Sequence, residues 1–227
     1  MSRVLAIETS GRVGSIALAE RGEIVAVEDF PHGLKHAAEI IPIIDRLCRS
    51  KNWGPKDLEQ LYVSAGPGSF TGLRIGITLA KTLAFATGVK LVAVPTVRAL
   101  AENAPAEVNH LVIVLDAKRD QIFTARFERV RDQWVEREPA HLDSLTAMLE
   151  RSPRPVNLLG EGIPYHEKFV NADPNVVITP PELWSARAVA VFKIGMEMAS
   201  RGEFANPDQL TPIYIRKPEA QEKLEGP

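Results

Sequence analysis

Only one cysteine, Cys48, occurs in the sequence. That excludes an intramolecular disulfide and a multi-cysteine zinc site, and it suits a reducing cytoplasm, where the protein is expected. Charge of one sign is also missing: 27 Lys and Arg against 29 Asp and Glu leave a formal net charge of −2. A chain that grips nucleic acid by itself through a strongly basic surface is not indicated; a local basic patch stays compatible. Long apolar runs are absent. The opening MSRVLAIETS has a short apolar stretch that ends at Glu8, so no signal peptide is read. The most apolar helical stretch, 70–86, contains Arg74 and Lys81, which argues against a membrane span. There is no low-complexity tract and no short-period repeat.

What is present is ordinary for a folded protein: 227 residues, 45% hydrophobic and 25% charged. The length suits one large domain or two small lobes. Strands are predicted at 4–7, 15–19 and 24–27, the last two joined by the turn ERGE. A helix over 34–49, a strand at 61–64, a helix over 70–86, a strand at 91–94 and a helix over 96–103 follow. This order predicts an α/β lobe: a hairpin feeding a sheet, then parallel strands with crossover helices. ENAPAEVN at 102–109 reads as a boundary. A second lobe is expected from strands at 111–115, 121–127, 133–135 and 156–159 and helices at 142–150 and 185–200. The lobes are expected to span 1–105 and 106–227, the tail from about 205 returning to the first. The final EAQEKLEGP is expected to fray.

Two helices are more apolar than one sheet requires. On a wheel of 34–50, Leu34, Ala37, Ala38, Ile40, Ile41, Ile43, Ile44, Leu47 and Cys48 cover roughly 220°, against the ~100° of a one-sided helix. In 70–86, Phe70, Leu73, Ile77, Leu79, Ala80, Leu83 and Ala84 leave little polar surface, and Gly72, Gly76 and Ala80 recur at a spacing that admits another backbone. Either both helices are central, or they offer a docking face.

The chemical motifs are incomplete. AGPGSFTGLR lacks the Gly-Lys-Ser/Thr ending of a phosphate loop and the spacing of a dinucleotide fingerprint. Gly66, Gly68, Ser69 and Gly72 can still offer amides to an anion at a helix start, or simply make a tight turn. His32 and His36 have the spacing of a zinc-peptidase helix, but Gly33 stands where its glutamate base belongs. No Ser lies in Gly-x-Ser-x-Gly. His110, His141 and His166 are scattered. AIETSG resembles a phosphate hairpin, with Glu8 where a metal-organising aspartate is usual. LDAKRDQIF sets Asp116, Lys118, Arg119 and Asp120 at a hairpin turn, fit for a phosphate, a partner or plain solvation.

LAIETS, HAAEIIPIID, AGPGSFTGLRIGITLAKTLA, VPTVRALA, LDAKRDQIFTARF and TPIYIRK occur in the order seen in the bacterial TsaB family, also called YeaZ. The resemblance covers about residues 3–217. It implies an α/β, actin-like (ASKHA) fold of two RNase-H-like lobes. It also implies a part in making threonylcarbamoyladenosine beside the anticodon of tRNA. In that system TsaD transfers the threonylcarbamoyl group, with TsaB and TsaE as partners. TsaD carries a His-x-x-x-His metal pair; here Thr96 and Leu100 hold those places, and leucine offers a metal nothing.

The resemblance therefore implies a noncatalytic subunit, with no catalytic residues and no metal of its own. No cofactor is expected, ATP or ADP being compatible only with the assembled complex. TsaD as heterodimer partner, TsaE, tRNA reached through the complex, and a homodimer when alone are the expected associations. The expected partner-binding residues are His36, Ile40, Ile41, Ile44, Leu47, Leu73 and Ile77. The alternatives are an actin-like ATPase or kinase using Glu8, the glycine loop and Mg²⁺, and a metallopeptidase using His32 and His36.

Overall fold

The computed structural model describes residues 2–31, 36–170 and 173–216. The chain divides into two compact units, Met1–Ala99 with Ala186–Pro212, and Leu100–Ser185 with the chain from Ile213. The first boundary falls at Ala99 and Leu100, near the expected 105, and the stretch that returns to the first unit is Ala186–Pro212, longer than the tail expected from about 205. The helix near 188–200 belongs to the first unit, because its apolar side covers that unit's sheet.

In the first unit β1 (Arg3–Glu8), β2 (Val13–Glu20) and β3 (Glu23–Pro31) form an antiparallel meander. Arg21 and Gly22 join β2 to β3 with φ of 58° and 86°. Positive φ at both central residues is the two-residue turn whose twist matches paired strands. β4 (Gln60–Gly66) and β5 (Lys90–Pro95) then add in parallel beside β1, giving the order β3-β2-β1-β4-β5.

Strand alternation sorts the side chains to two faces. Leu5, Ile7, Ile16, Leu18, Leu61 and Val63 join one core with residues of α1 (His36–Ser50) and α2 (Phe70–Thr87). Tyr62 points the other way. It stacks on Phe192 of the helix Ala188–Ser200, ring centroids 6.2 Å apart. Gly195 of that helix meets the Tyr62 ring so closely that a β-carbon there would lie 2.4 Å from it. Burial lifts the Tyr62 phenol to about 12.

α3 (Thr96–Ala101) leads to the second sheet, which repeats the wiring. β6 (His110–Asp116), β7 (Ile122–Val130) and β8 (Gln133–Asp143) form a meander, and β9 (Val156–Leu159) and β10 (Val176–Ile178) lie parallel beside β6. The order is β10-β9-β6-β7-β8. α4 (Leu145–Arg151) and α5 (Ile163–His166) close its core through Leu145, Met148 and Ile163 on Val112 and Val114. β8 runs eleven residues, far past the expected 133–135. Glu136, Arg137, Glu138 and Pro139 disguise it. An edge strand tolerates them, since Pro139 need donate nothing and Glu138 pairs with Arg126 at 2.8 Å. The remaining helix, α6 (Ala188–Ser200), is the one on Tyr62.

Candidate functional site

Two places in the first unit answer to the residues singled out from sequence. The first is the outer side of α1 and α2. Both helices are set against the sheet by aliphatic side chains, and the structure buries four of the expected interface residues there: Ile40 (2% exposed), Ile44 (9%), Leu73 (1%) and Ile77 (4%). Ile44, Leu73 and Ile77 are core, which corrects their assignment to an open face, while Ile40, though nearly buried, still borders the groove between the helices. The wide wheel of α1 is used up partly by the sheet and partly by α2. Ile41, at 58% exposed, does face outward, and Leu47 is half-buried. His36 is the first residue of α1; residues 32–35, with His32 and the expected helix start at Leu34, lie outside the described residues.

The surface that remains is a shallow groove of about 380 Å³ between Ile40 and Ile41 of α1 and Ile75, Thr78, Leu79 and Thr82 of α2. Arg74 shares its wall and lies 3.7 Å from the centroid of the Phe70 ring. Phe70 and Phe85, 37% and 65% exposed, extend the apolar surface along α2. Phe70, Arg74, Thr78 and Thr82 repeat every four residues, so they form one helical stripe. Sequence reasoning missed Ile75 and Phe85. The signal was the polar partners Arg74, Thr78 and Thr82, which mark the wet side of the helix.

The second place is the glycine loop. Ser69 caps α2, its hydroxyl accepting from the Gly72 N–H at 3.3 Å. The Ser69 N–H donates to the Ser10 carbonyl at 2.7 Å, and the Gly66 N–H donates to Thr96 Oγ1 at 3.2 Å. Gly68 and Gly72 press on the turn after β1: a β-carbon would lie 2.6 Å from the Ser10 carbonyl oxygen at Gly68 and 1.9 Å from that of Thr9 at Gly72. Thr9 Oγ1 returns a hydrogen bond to the Gly72 carbonyl at 2.8 Å. The backbone admitted by the small-residue spacing is thus the chain's own.

Glu8 is fully buried at the end of β1. Its Oε1 accepts from the Ser10 hydroxyl at 2.6 Å and from the Ser10 N–H. A carboxylate of the protein thereby takes up donors that a phosphate hairpin would offer to a ligand. Thr96 and Leu100, in the places of the histidine pair, are 2% and 1% exposed, and Thr96 serves the loop as an acceptor. Among the described residues no three His, Cys, Asp or Glu side chains converge to hold a metal ion. None of the described helices is long and apolar enough to cross a membrane.

The family model described as TsaD: tRNA N6-adenosine threonylcarbamoyltransferase matches residues 33–195. A Bacillus subtilis relative, tRNA threonylcarbamoyladenosine biosynthesis protein TsaB, is 30% identical over 97% of this chain and 96% of its own length. The Escherichia coli protein of the same name is 25% identical over 99% of each. The solved structure of YeaZ from Pseudomonas aeruginosa superposes with a TM-score of 0.80 at 23% identity, covering 94% of this chain and all of the other. Together with the two repeated sheets, this makes the protein a two-unit α/β protein of the actin-like (ASKHA) class. Within that class the chain belongs to the TsaB (YeaZ) family.

Proposed function

We propose that the chain works in threonylcarbamoyladenosine formation on tRNA as a subunit that does no chemistry itself. It docks on TsaD and holds it in a competent state, with TsaE and tRNA joining the assembled pair. The names of the relatives supply the pathway. The observation that carries the docking role is the α1–α2 groove, where Ile41 stands exposed beside Ile75 and Leu79, with Phe70 and Phe85 exposed further along α2. Apolar patches of this kind on a folded unit mark sites of association. The same groove serves a homodimer when TsaD is absent, so the two pairings compete. The internal use of the glycine-loop and Ser10 donors supports a chain that holds no nucleotide alone.

The test is co-purification with TsaD of the same organism, with the mass measured by light scattering. The heterodimer should form with the wild-type chain and fail with Ile41→Asp. A heterodimer of wild-type affinity with Ile41→Asp sinks the groove. Stoichiometric ATP binding by the isolated chain would instead favour an actin-like phosphotransferase.

A further inference from the structure

We infer that the second unit carries an RNA-binding ridge on which Tyr165 stacks an unpaired base while Lys118, Arg119 and Lys168 hold the neighbouring phosphates. The ridge has two parts, the hairpin 116–121 and the segment 163–169. Tyr165 is 52% exposed, and the Lys118 ammonium lies 5.3 Å from its ring centroid. Lys168 reaches from the second part to Asp120 of the first at 3.0 Å. The two parts therefore form one surface, an exposed aromatic ring interleaved with cations. That is the composition with which proteins receive single-stranded RNA, by base stacking and phosphate pairing.

The hairpin is held in a fixed and unusual shape. Lys118, Arg119 and Asp120 all have left-handed φ, 62°, 55° and 54°. Residues with side chains take this region rarely, and a run of them persists only where the surroundings enforce it. The enforcement is visible. The Arg216 guanidinium donates to the Ala117 carbonyl and to Gln121 Oε1. The Ala117 N–H donates to the Gln121 carbonyl at 2.9 Å. Asp116 anchors the base of the turn, 3.3 Å from Nε2 of the buried His166 and accepting from the Lys118 N–H at 3.1 Å. A frame of this kind displays Lys118 and Arg119 in place before a ligand arrives, which lowers the entropy lost on binding.

Three acids, Asp116, Asp120 and Glu167, stand against the three cations of the ridge, so a phosphate must displace existing pairs. Asp116 holds Lys118 at 2.7 Å and His166 at 3.3 Å. Asp120 meets Lys168 with both side chains more than 60% exposed, a pair weak enough for a phosphate to displace. Glu167 is exposed on the same segment and sets a limit on affinity. An RNA partner is preferred over an acidic protein because the exposed ring at the centre offers a stacking face as well as charge. The physiological RNA would be the tRNA of the assembly, so that part rests on the function proposed above.

The test uses a fluorescein-labelled tRNA transcript and a labelled oligouridine, titrated by anisotropy against the full chain, alone and with TsaD. Lys118→Asn with Arg119→Asn removes two cations while keeping a residue type that accepts left-handed φ. It should weaken binding at least tenfold and lower the log–log salt slope by about 1.5. Tyr165→Leu should weaken binding about fivefold or more with the salt slope unchanged. Lys51→Glu, on the first unit, is the control and should change neither. Melting curves of each variant verify the fold. Wild-type RNA affinity in both ridge variants overturns the proposal, as does failure of the wild-type TsaD complex to bind either RNA. Loss of TsaD association with RNA affinity intact would make the ridge a protein contact and also overturn it. Light scattering on the same samples separates these results from a failure of the docking function.

Discussion

Gly72 lies against Thr9 so closely that a single methyl group on its α-carbon would sit 1.9 Å from the Thr9 carbonyl oxygen. No rotamer change relieves such a contact, because the obstacle is backbone. Gly72→Ala should therefore cost at least about 3 kcal/mol in urea unfolding, at the upper end for an overpacked site. Gly54→Ala, whose β-carbon meets only the flexible Asp57 carboxylate at 3.6 Å, should cost little. Equal stability of the two variants would show that the loop is not the packing element described.

Ile41 and Ile44 are three residues apart on α1, yet their substitutions should fail in different ways. Ile44→Asp puts a carboxylate into the core and should destabilise the first unit by about 4 kcal/mol or more, seen as loss of soluble protein or a large fall in Tm. Ile41→Asp should leave Tm within a few degrees of wild type and remove only association. A soluble, fully stable Ile44→Asp variant would contradict the packing of α1 on the sheet.

Arg151 joins two carboxylates of the second unit, Glu138 at 2.9 Å and Asp143 at 2.6 Å. Burial opposes the charge of both acids. Hydrogen bonds outweigh it, from Arg126 and Arg151 to Glu138 and from Arg151 and the Ser144 N–H to Asp143, and hold both below their ordinary range. A carboxyl lowered in the folded state contributes stability above its unfolded pKa of about 4 and loses it as pH falls through the lowered value. Arg151→Met should thus be less stable than wild type at pH 7, and the gap should shrink as pH drops below about 4. A gap that stays constant from pH 7 to pH 2 rules the linkage out.

Cys48 is on the core side of α1, where burial, with Asp45 and Asp57 adding to it, pushes its thiol up to about 11. Alkylation by iodoacetamide at pH 8 should be slow and should follow unfolding, rising steeply through the urea transition. Rapid labelling of the native protein would mean that α1 opens far more readily than its packing suggests.

Much of this could be read from residues alone. The ERGE turn, the short apolar runs at 4–7 and 61–64, and the spacing of Gly72 and Gly76 each state a local rule that the fold obeys. The groove was half legible. A wheel counts apolar positions but does not tell which neighbour takes them, so Ile40, Ile44, Leu73 and Ile77 went to the sheet and to the opposing helix. Most of β8 beyond 135 escaped notice because the partners of its Glu138 and Asp143, Arg126 and Arg151, lie on other elements. The hairpin at 116–121 looked like any charged turn until its three left-handed residues and the brace from Arg216 were seen.

The return of α6 to the first sheet has a consequence for how the chain is made. Tyr62 and its neighbours leave the ribosome more than a hundred residues before Phe192 and Gly195, which must cover them. The early strands must wait with one side uncovered while Leu100–Ser185 of the second unit is synthesised. Slowing translation after residue 185, or ending the chain there, should therefore leave the first sheet dependent on chaperones.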